Sequence, residues 1–174
     1  GHCKVIIDII EKTNKYNLVG IIDNYQEKGN IFFDYEIIGQ DEEIESLLKN
    51  YQIECGVIGI GDNMTRKKIV DYVCQINSNF IFEPLIHPKS NIGKNVIIRE
   101  GTVIMSGVSV NSDTKIGSHC IINTNSSIDH DCCLGDYVSV SPNCGIGGNV
   151  SIGDNSFIGI GSNIIHNINI GENN

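Results

Sequence analysis

Five histidines are the chain's best candidates for acid–base chemistry, because an imidazole titrates near neutral pH and can both take and return a proton. His130 stands apart, set in the run Asp129-His130-Asp131-Cys132. A carboxylate on one ring nitrogen fixes the tautomer, leaves the other nitrogen as a base and stabilises the imidazolium that forms. The same three residues also suit a solvent-facing turn, so type and order alone leave both readings open. His2 follows Gly1 at the start of a helix, where backbone N–H groups favour phosphate. Asp23 and Asn24 end one apolar strand, and Gly61 and Asn63 end the next. A Rossmann-like sheet grips a ribose or base from such positions, although ordinary turns use the same residues.

Other chemistry is less favoured. His87 precedes Pro88 and reads as structural, while His119 and His166 fall at corners expected to face solvent. Arg66, Lys67 and Lys68 could attract phosphates, but a basic run on a helix is usually a solvated face. No metal is expected: a zinc hydratase needs three convergent imidazoles, and His119 and His130 fall in different repeat units without a third partner. The seven cysteines contain no CxxC pair, and Cys132 and Cys133 are adjacent, so neither a disulfide framework nor a zinc finger is signalled. Cys120, Cys132 and Cys144 read as small corner-fillers.

Two kinds of structure must hold these residues. Up to about Pro84 the pattern alternates between helix and strand. Val5, Ile6, Ile9 and Ile10 form one helix face, and Leu18 to Ile22 reads as a buried strand. Asp41 caps a second helix bearing Ile44, Leu47 and Leu48, and Cys55 to Ile60 is the next strand. Ile69, Val70 and Val73 mark a third helix, followed by a strand at Phe80 to Phe82. Alternation of this kind predicts an α/β Rossmann-like domain over residues 1–84.

From Ile86 another rule takes over. Stepping by six meets Ile92, Ile98, Ile104, Val110, Ile116, Ile122, Ile128, Leu134, Val140, Ile146, Ile152, Ile158, Ile164 and Ile170. With 40% of the chain apolar, that run would arise by chance roughly once in a million tries. A period of six marks short strands joined by regular corners, an all-β helix of hexapeptide repeats over residues 85–174. Small or β-branched residues recur four places after each large aliphatic, as Thr102, Thr114, Cys120, Ser126 and Cys132 do. Glycine often comes directly after the aliphatic, as at Gly93, Gly117, Gly135, Gly147 and Gly153, where a positive φ is expected.

A formal net charge of −9 and a pI near 4.9 argue against a nucleic-acid partner, which would call for clustered Lys and Arg. No apolar run is long enough to span a bilayer and no signal peptide opens the chain, so a cytoplasmic location without membrane insertion is expected. The start at Gly1 and the stop at Asn174 inside a repeat read as a fragment cut at both ends.

The hexads resemble the left-handed β-helix of the hexapeptide acyltransferase superfamily, in which three hexads make one coil; the left hand comes from that resemblance, since crossover rules would favour the right. Gly1-His2-Cys3-Lys4-Val5, Ile22-Asp23-Asn24, Gly59-Ile60-Gly61-Asp62-Asn63, Leu85-Ile86-His87-Pro88 and Asn123-Thr124 with Asp129-His130-Asp131-Cys132 narrow it. Together they are similar to the NeuD/PglD-type sugar acetyltransferases.

The resemblance implies acetyl-CoA as co-substrate, a homotrimer, and an acceptor that is a nucleotide-linked amino sugar. A sialic acid hydroxyl is the alternative acceptor, and a non-catalytic assembly module the weaker one. It implies His130 as general base, Asp131 as the acid that orients it, and Gly148, one coil later, as the backbone donor to the developing oxyanion. Gly1, His2, Asp23, Asn24, Gly61, Asn63 and Asn123 become substrate-binding positions. Coenzyme contacts fall to Gly148 and to Ser139, which stands where these enzymes can carry a second histidine nine residues after the base.

Overall fold

The computed structural model describes residues 1–174. It has the expected fold class, an α/β Rossmann-like unit followed by a left-handed parallel β-helix.

Helix α1 (His2–Thr13) buries Ile6, Ile7, Ile9 and Ile10. Asn14 ends it in the left-handed conformation at φ 51°, which asparagine tolerates better than most residues. Strand β1 (Ile21–Ile22) pairs in parallel with β3 (Tyr35–Gly39), and β2 (Ile31–Phe32) pairs antiparallel with β3. The helix–strand alternation does not predict this hairpin. Its turn residues Phe33 and Asp34 both have positive φ, as a type I′ turn requires, but neither is the glycine that usually signals one. Helix α2 (Ile44–Asn50) follows a short turn at Asp41–Glu43. Strand β4 (Cys55–Gly56) pairs with β5 (Ile81–Phe82) on either side of α3 (Asn63–Ile76), which Asp62 caps through its carboxylate to the Thr65 N–H at 2.8 Å.

The two small sheets do not pair with each other. Between them lies a cavity of about 490 Å³ whose lining includes Ile7, Ile10, Leu18, Ile21, Val57 and Ile58. Along one rim the backbone of Val57, Ile58 and Gly59 makes no main-chain hydrogen bond. No helix is long and apolar enough to cross a membrane.

The β-helix has three flat faces of five two-residue strands, each strand pairing in parallel with the one eighteen residues on. The first face runs from Leu85–Ile86 to Phe157–Ile158, the second from Asn91–Ile92 to Asn163–Ile164, and the third from Ile97–Ile98 to Asn169–Ile170. The stacked aliphatics form the core, and Ile6, Ile9 and Ile10 of α1 join it beside Leu85 and Ile104. Helix α1 is therefore part of the β-helix core, and a second, smaller cluster forms around Ile44, Val70, Val73, Phe82 and Tyr137.

Corner side chains complete the ladder. Thr102 Oγ1 donates to Gly117 O at 2.7 Å and accepts the Cys120 N–H at 2.9 Å; Cys120, Cys132 and Cys144 place their thiols on Gly135, Gly147 and Gly159 carbonyls. Buried corner backbone needs such partners, which explains a small side chain with a polar tip.

Positive φ falls elsewhere than expected. It sits three residues after each aliphatic from Ile92 on, mostly at residues such as Asn95, Asp113, Asn125, Asp131, Asn143, Asn149 and Asn155, whose short polar side chains tolerate the left-handed region. The glycines directly after the aliphatics serve a different need. A Cβ on Gly93 would stand 2.8 Å from the Ser112 nitrogen, so close approach of the next coil excludes a side chain.

Candidate active site

His130 lies at the corner between the second and third faces, following the strand Ser127–Ile128. Its ring is largely exposed, and Nδ1 sits 2.8 Å from Asp131 Oδ2. Asp131 takes the corner's left-handed position, φ 60°, which turns its carboxylate back toward the ring. The His130 N–H donates to Asp129 Oδ1 at 2.9 Å, and Asn111 Nδ2 donates to the same oxygen at 2.8 Å. The Asp131 hydrogen bond, followed by the charge of Asp129, raises the His130 pKa above its ordinary value. Nδ1–H is thereby committed to Asp131, and Nε2 is left to accept a proton.

Gly148 caps this ring. A Cβ there would lie 2.9 Å from His130 Cε1 and 3.0 Å from Nε2, so only glycine leaves the imidazole in place. The Gly148 N–H makes no hydrogen bond within the chain, although the flanking Gly147 and Asn149 amides are both paired. One coil thus presents a base and, above it, a free backbone donor.

A second feature is a cleft of about 450 Å³ between the two halves, lined by Gly1, His2 and Gly61 on one side and Asn123, Ser139 and Phe157 on the other. Five sequence-predicted positions meet here: Gly1, His2, Gly61, Asn123 and Ser139. The His2 Nε2 is buried without a partner. Burial, with Arg66 nearby, lowers the His2 pKa to about 4, so the ring is neutral at physiological pH.

The remaining predicted positions lie elsewhere. Asp23 and Asn24 stand at the edge of the 490 Å³ cavity, where Asn24 exchanges two hydrogen bonds with Asp41, at 2.7 and 2.8 Å. Asn63 is buried against the β-helix, donating to the Asn155 and Ser156 carbonyls at 3.2 Å and accepting from Ser139 Oγ at 2.6 Å. The cleft runs along the first face, and Asn123 marks the corner between the first and second faces. A whole face separates that corner from His130 in the same chain.

Two sequence expectations are corrected here. Arg66 is not on a solvated face; it is 1% exposed and points into the contact between the halves. The signal was present, since the buried residues of α3 are Asn63, Arg66, Val70 and Val73, and the helical period runs straight through the arginine. His119 does not face solvent either. It is stacked on Tyr137, 5.2 Å between ring centroids, and edge-on to Phe82 at 4.9 Å, and burial lowers its pKa to about 4.

Comparison with known proteins follows the same division. Residues 1–73 match the PglD N-terminal domain, and residues 113–148 match the bacterial transferase hexapeptide repeats. The first match lies in the Rossmann-like half and the second within the β-helix. A UDP-N-acetylbacillosamine N-acetyltransferase of Bacillus subtilis is 33% identical over 109 residues, 61% of this chain. That alignment spans about half of the relative, 48% of its length.

Solved structures align over nearly the whole chain. A histidine-to-alanine mutant of GDP-perosamine N-acetyl transferase from Caulobacter crescentus, in complex with CoA and GDP-perosamine, has a TM-score of 0.92 at 29% identity. It covers 99% of this chain and 79% of that one. The acetyltransferase domain of PglB from Neisseria gonorrhoeae in complex with acetyl coenzyme A has a TM-score of 0.89 at 27% identity, covering 99% and 81%.

Proposed function

We propose that the chain carries an acetyl-CoA-dependent N-acetyltransferase acting on the amino group of a nucleotide-linked amino sugar. The observation that carries the reading is the stack of His130 under Gly148, a carboxylate-oriented base with an unpaired backbone donor above it. His130 Nε2 takes the proton from the attacking amine as the N–C bond to the thioester carbon forms. The carbonyl oxygen becomes negative, and the Gly148 N–H is the donor positioned to meet it. The tetrahedral species then expels the coenzyme thiolate, which recovers the proton from the imidazolium while Asp131 stabilises the charged ring.

Support for an amine rather than a hydroxyl acceptor comes from the relatives, whose names describe N-acetyl transfer to UDP- or GDP-linked sugars. The inter-half cleft, with His2 and Gly61 at its wall, is the acceptor's nucleotide site in this reading, and no metal takes part.

Base and cleft stand on different corners of one chain. A homotrimer with threefold packing of β-helices would set the His130 corner of one copy against the cleft of the next, with coenzyme A in the groove between them.

The test is release of coenzyme thiol from acetyl-CoA with UDP- and GDP-linked 4-amino sugars and with sialic acid. Turnover confined to the amino sugars supports the reading; turnover with sialic acid alone replaces it with O-acetylation, and turnover with none sinks it.

A further inference from the structure

We propose that Arg66 is a positioning residue for the nucleotide of the acceptor: its buried guanidinium locks Gly61 and Ser139, one from each half of the chain, as facing walls of one cleft. The proposal rests on the nucleotide-sugar reading above. Nε donates to His119 O at 2.9 Å, and Nη1 to Ile60 O at 3.1 Å and Gly61 O at 2.9 Å. Nη2 donates to Asn63 Oδ1 at 3.0 Å and to Tyr137 O and Ser139 Oγ, both at 3.2 Å. Both Gly61 and Ser139 line the cleft. Every partner is neutral, and no carboxylate lies within ion-pair distance of this cation.

A buried, unpaired charge is a costly way to dock a helix, and an apolar side chain of similar size would do it more cheaply. The charge makes sense if the cleft takes an anion. No lysine, arginine, aspartate or glutamate lines that cleft, so the guanidinium just behind its wall and the N-terminus of α1 are its sources of positive potential. The surroundings keep further charge away: His2 and His119, both near Arg66, have their pKa lowered by burial and then by that same cation.

The test measures UDP and GDP binding to the whole chain by calorimetry, beside steady-state kinetics. Arg66→Met should weaken nucleotide binding by about tenfold or more, while kcat at saturating acceptor and the KM for acetyl-CoA stay within about twofold. Arg66→Lys, which keeps the charge and loses the fork, should recover part of the affinity. Hydrogen exchange on the wild-type chain covers the case of variants that fail to fold: either nucleotide should protect residues 59–66 and 137–141 together. Unchanged nucleotide affinity in Arg66→Lys and Arg66→Met, absence of that joint protection, or a parallel loss of kcat and coenzyme KM in folded Arg66→Lys overturns the assignment. If the wild-type chain binds neither nucleotide, the nucleotide-sugar reading fails and takes this inference with it.

Discussion

Replacing Gly148 with alanine probes the stack that underlies the proposed chemistry, because the added atom has one place to go. It lands 2.9 Å from Cε1 and 3.0 Å from Nε2 of His130. Carbon atoms settle at about 3.5–4.0 Å, so the ring must retreat by roughly 0.5–1 Å. The retreat pulls Nδ1 off its 2.8 Å contact with Asp131 and moves Nε2 away from the attacking amine. A displacement of about 1 Å at a reacting group costs about 10²-fold in rate, and that is the expected fall in kcat. The main chain accepts the change, since φ at Gly148 is not in the left-handed region. Thermal unfolding and nucleotide binding should therefore match the wild type. With its Asp131 contact weakened, His130 loses the main cause of its raised pKa, so the acidic limb of the kcat/KM profile should move to lower pH. The assay is thiol release from acetyl-CoA across pH, with the His130 ring followed by NMR titration. A kcat within about threefold of wild type in a folded variant refutes the stack as the catalytic geometry.

Further outcomes follow from the same geometry. His130→Ala should lower kcat by about 10²-fold or more in the same assay, and retained activity in the folded variant removes His130 as the base. Asp131→Asn removes the hydrogen bond that chiefly raises the His130 pKa, so NMR should find that pKa lower; an unmoved titration contradicts the role given to Asp131. Mixed oligomers of His130→Ala chains with Asn123→Ala chains should recover activity that neither homo-oligomer has, because some pairings combine an intact base with an intact cleft. Failure of a verified mixed oligomer to do so places base and cleft in the same chain. His119 and His2 have folded pKa values near 4 against an ordinary value of 6.5, so the unfolded chain binds more protons between those limits. Stability should fall as pH drops from about 6.5 toward 4, and urea midpoints for His119→Asn should fall less steeply.

Much of the site was legible in the chain because a β-helix makes neighbours of residues at fixed intervals. The period of six, with the eighteen-residue coil taken from the resemblance, determined the three faces, the core columns and the placement of Gly148 over His130. Asp131 needs no fold-level argument to be near His130, being adjacent to it, although the corner's left-handed φ decides that its carboxylate turns toward the ring. The glycine pattern was read for the wrong reason, since crowding between coils and a positive-φ requirement both select glycine and the sequence does not distinguish them.

Tertiary structure alone decided the contact between the halves. Arg66 meets His119, Tyr137 and Ser139 across 53, 71 and 73 residues, and Asn63 meets Ser156 across 93. No period links those positions. Their neighbours are set by how α3 lies on the first face, and a basic run on a helix reads as solvated until that packing is known. The sequence by itself therefore determined the repeat and, with the resemblance, the placement of Gly148 over His130, because solenoid contacts are local. Packing between two unlike units decided that Arg66 and His119 are buried and that His2, Gly61, Asn123 and Ser139 share one cleft.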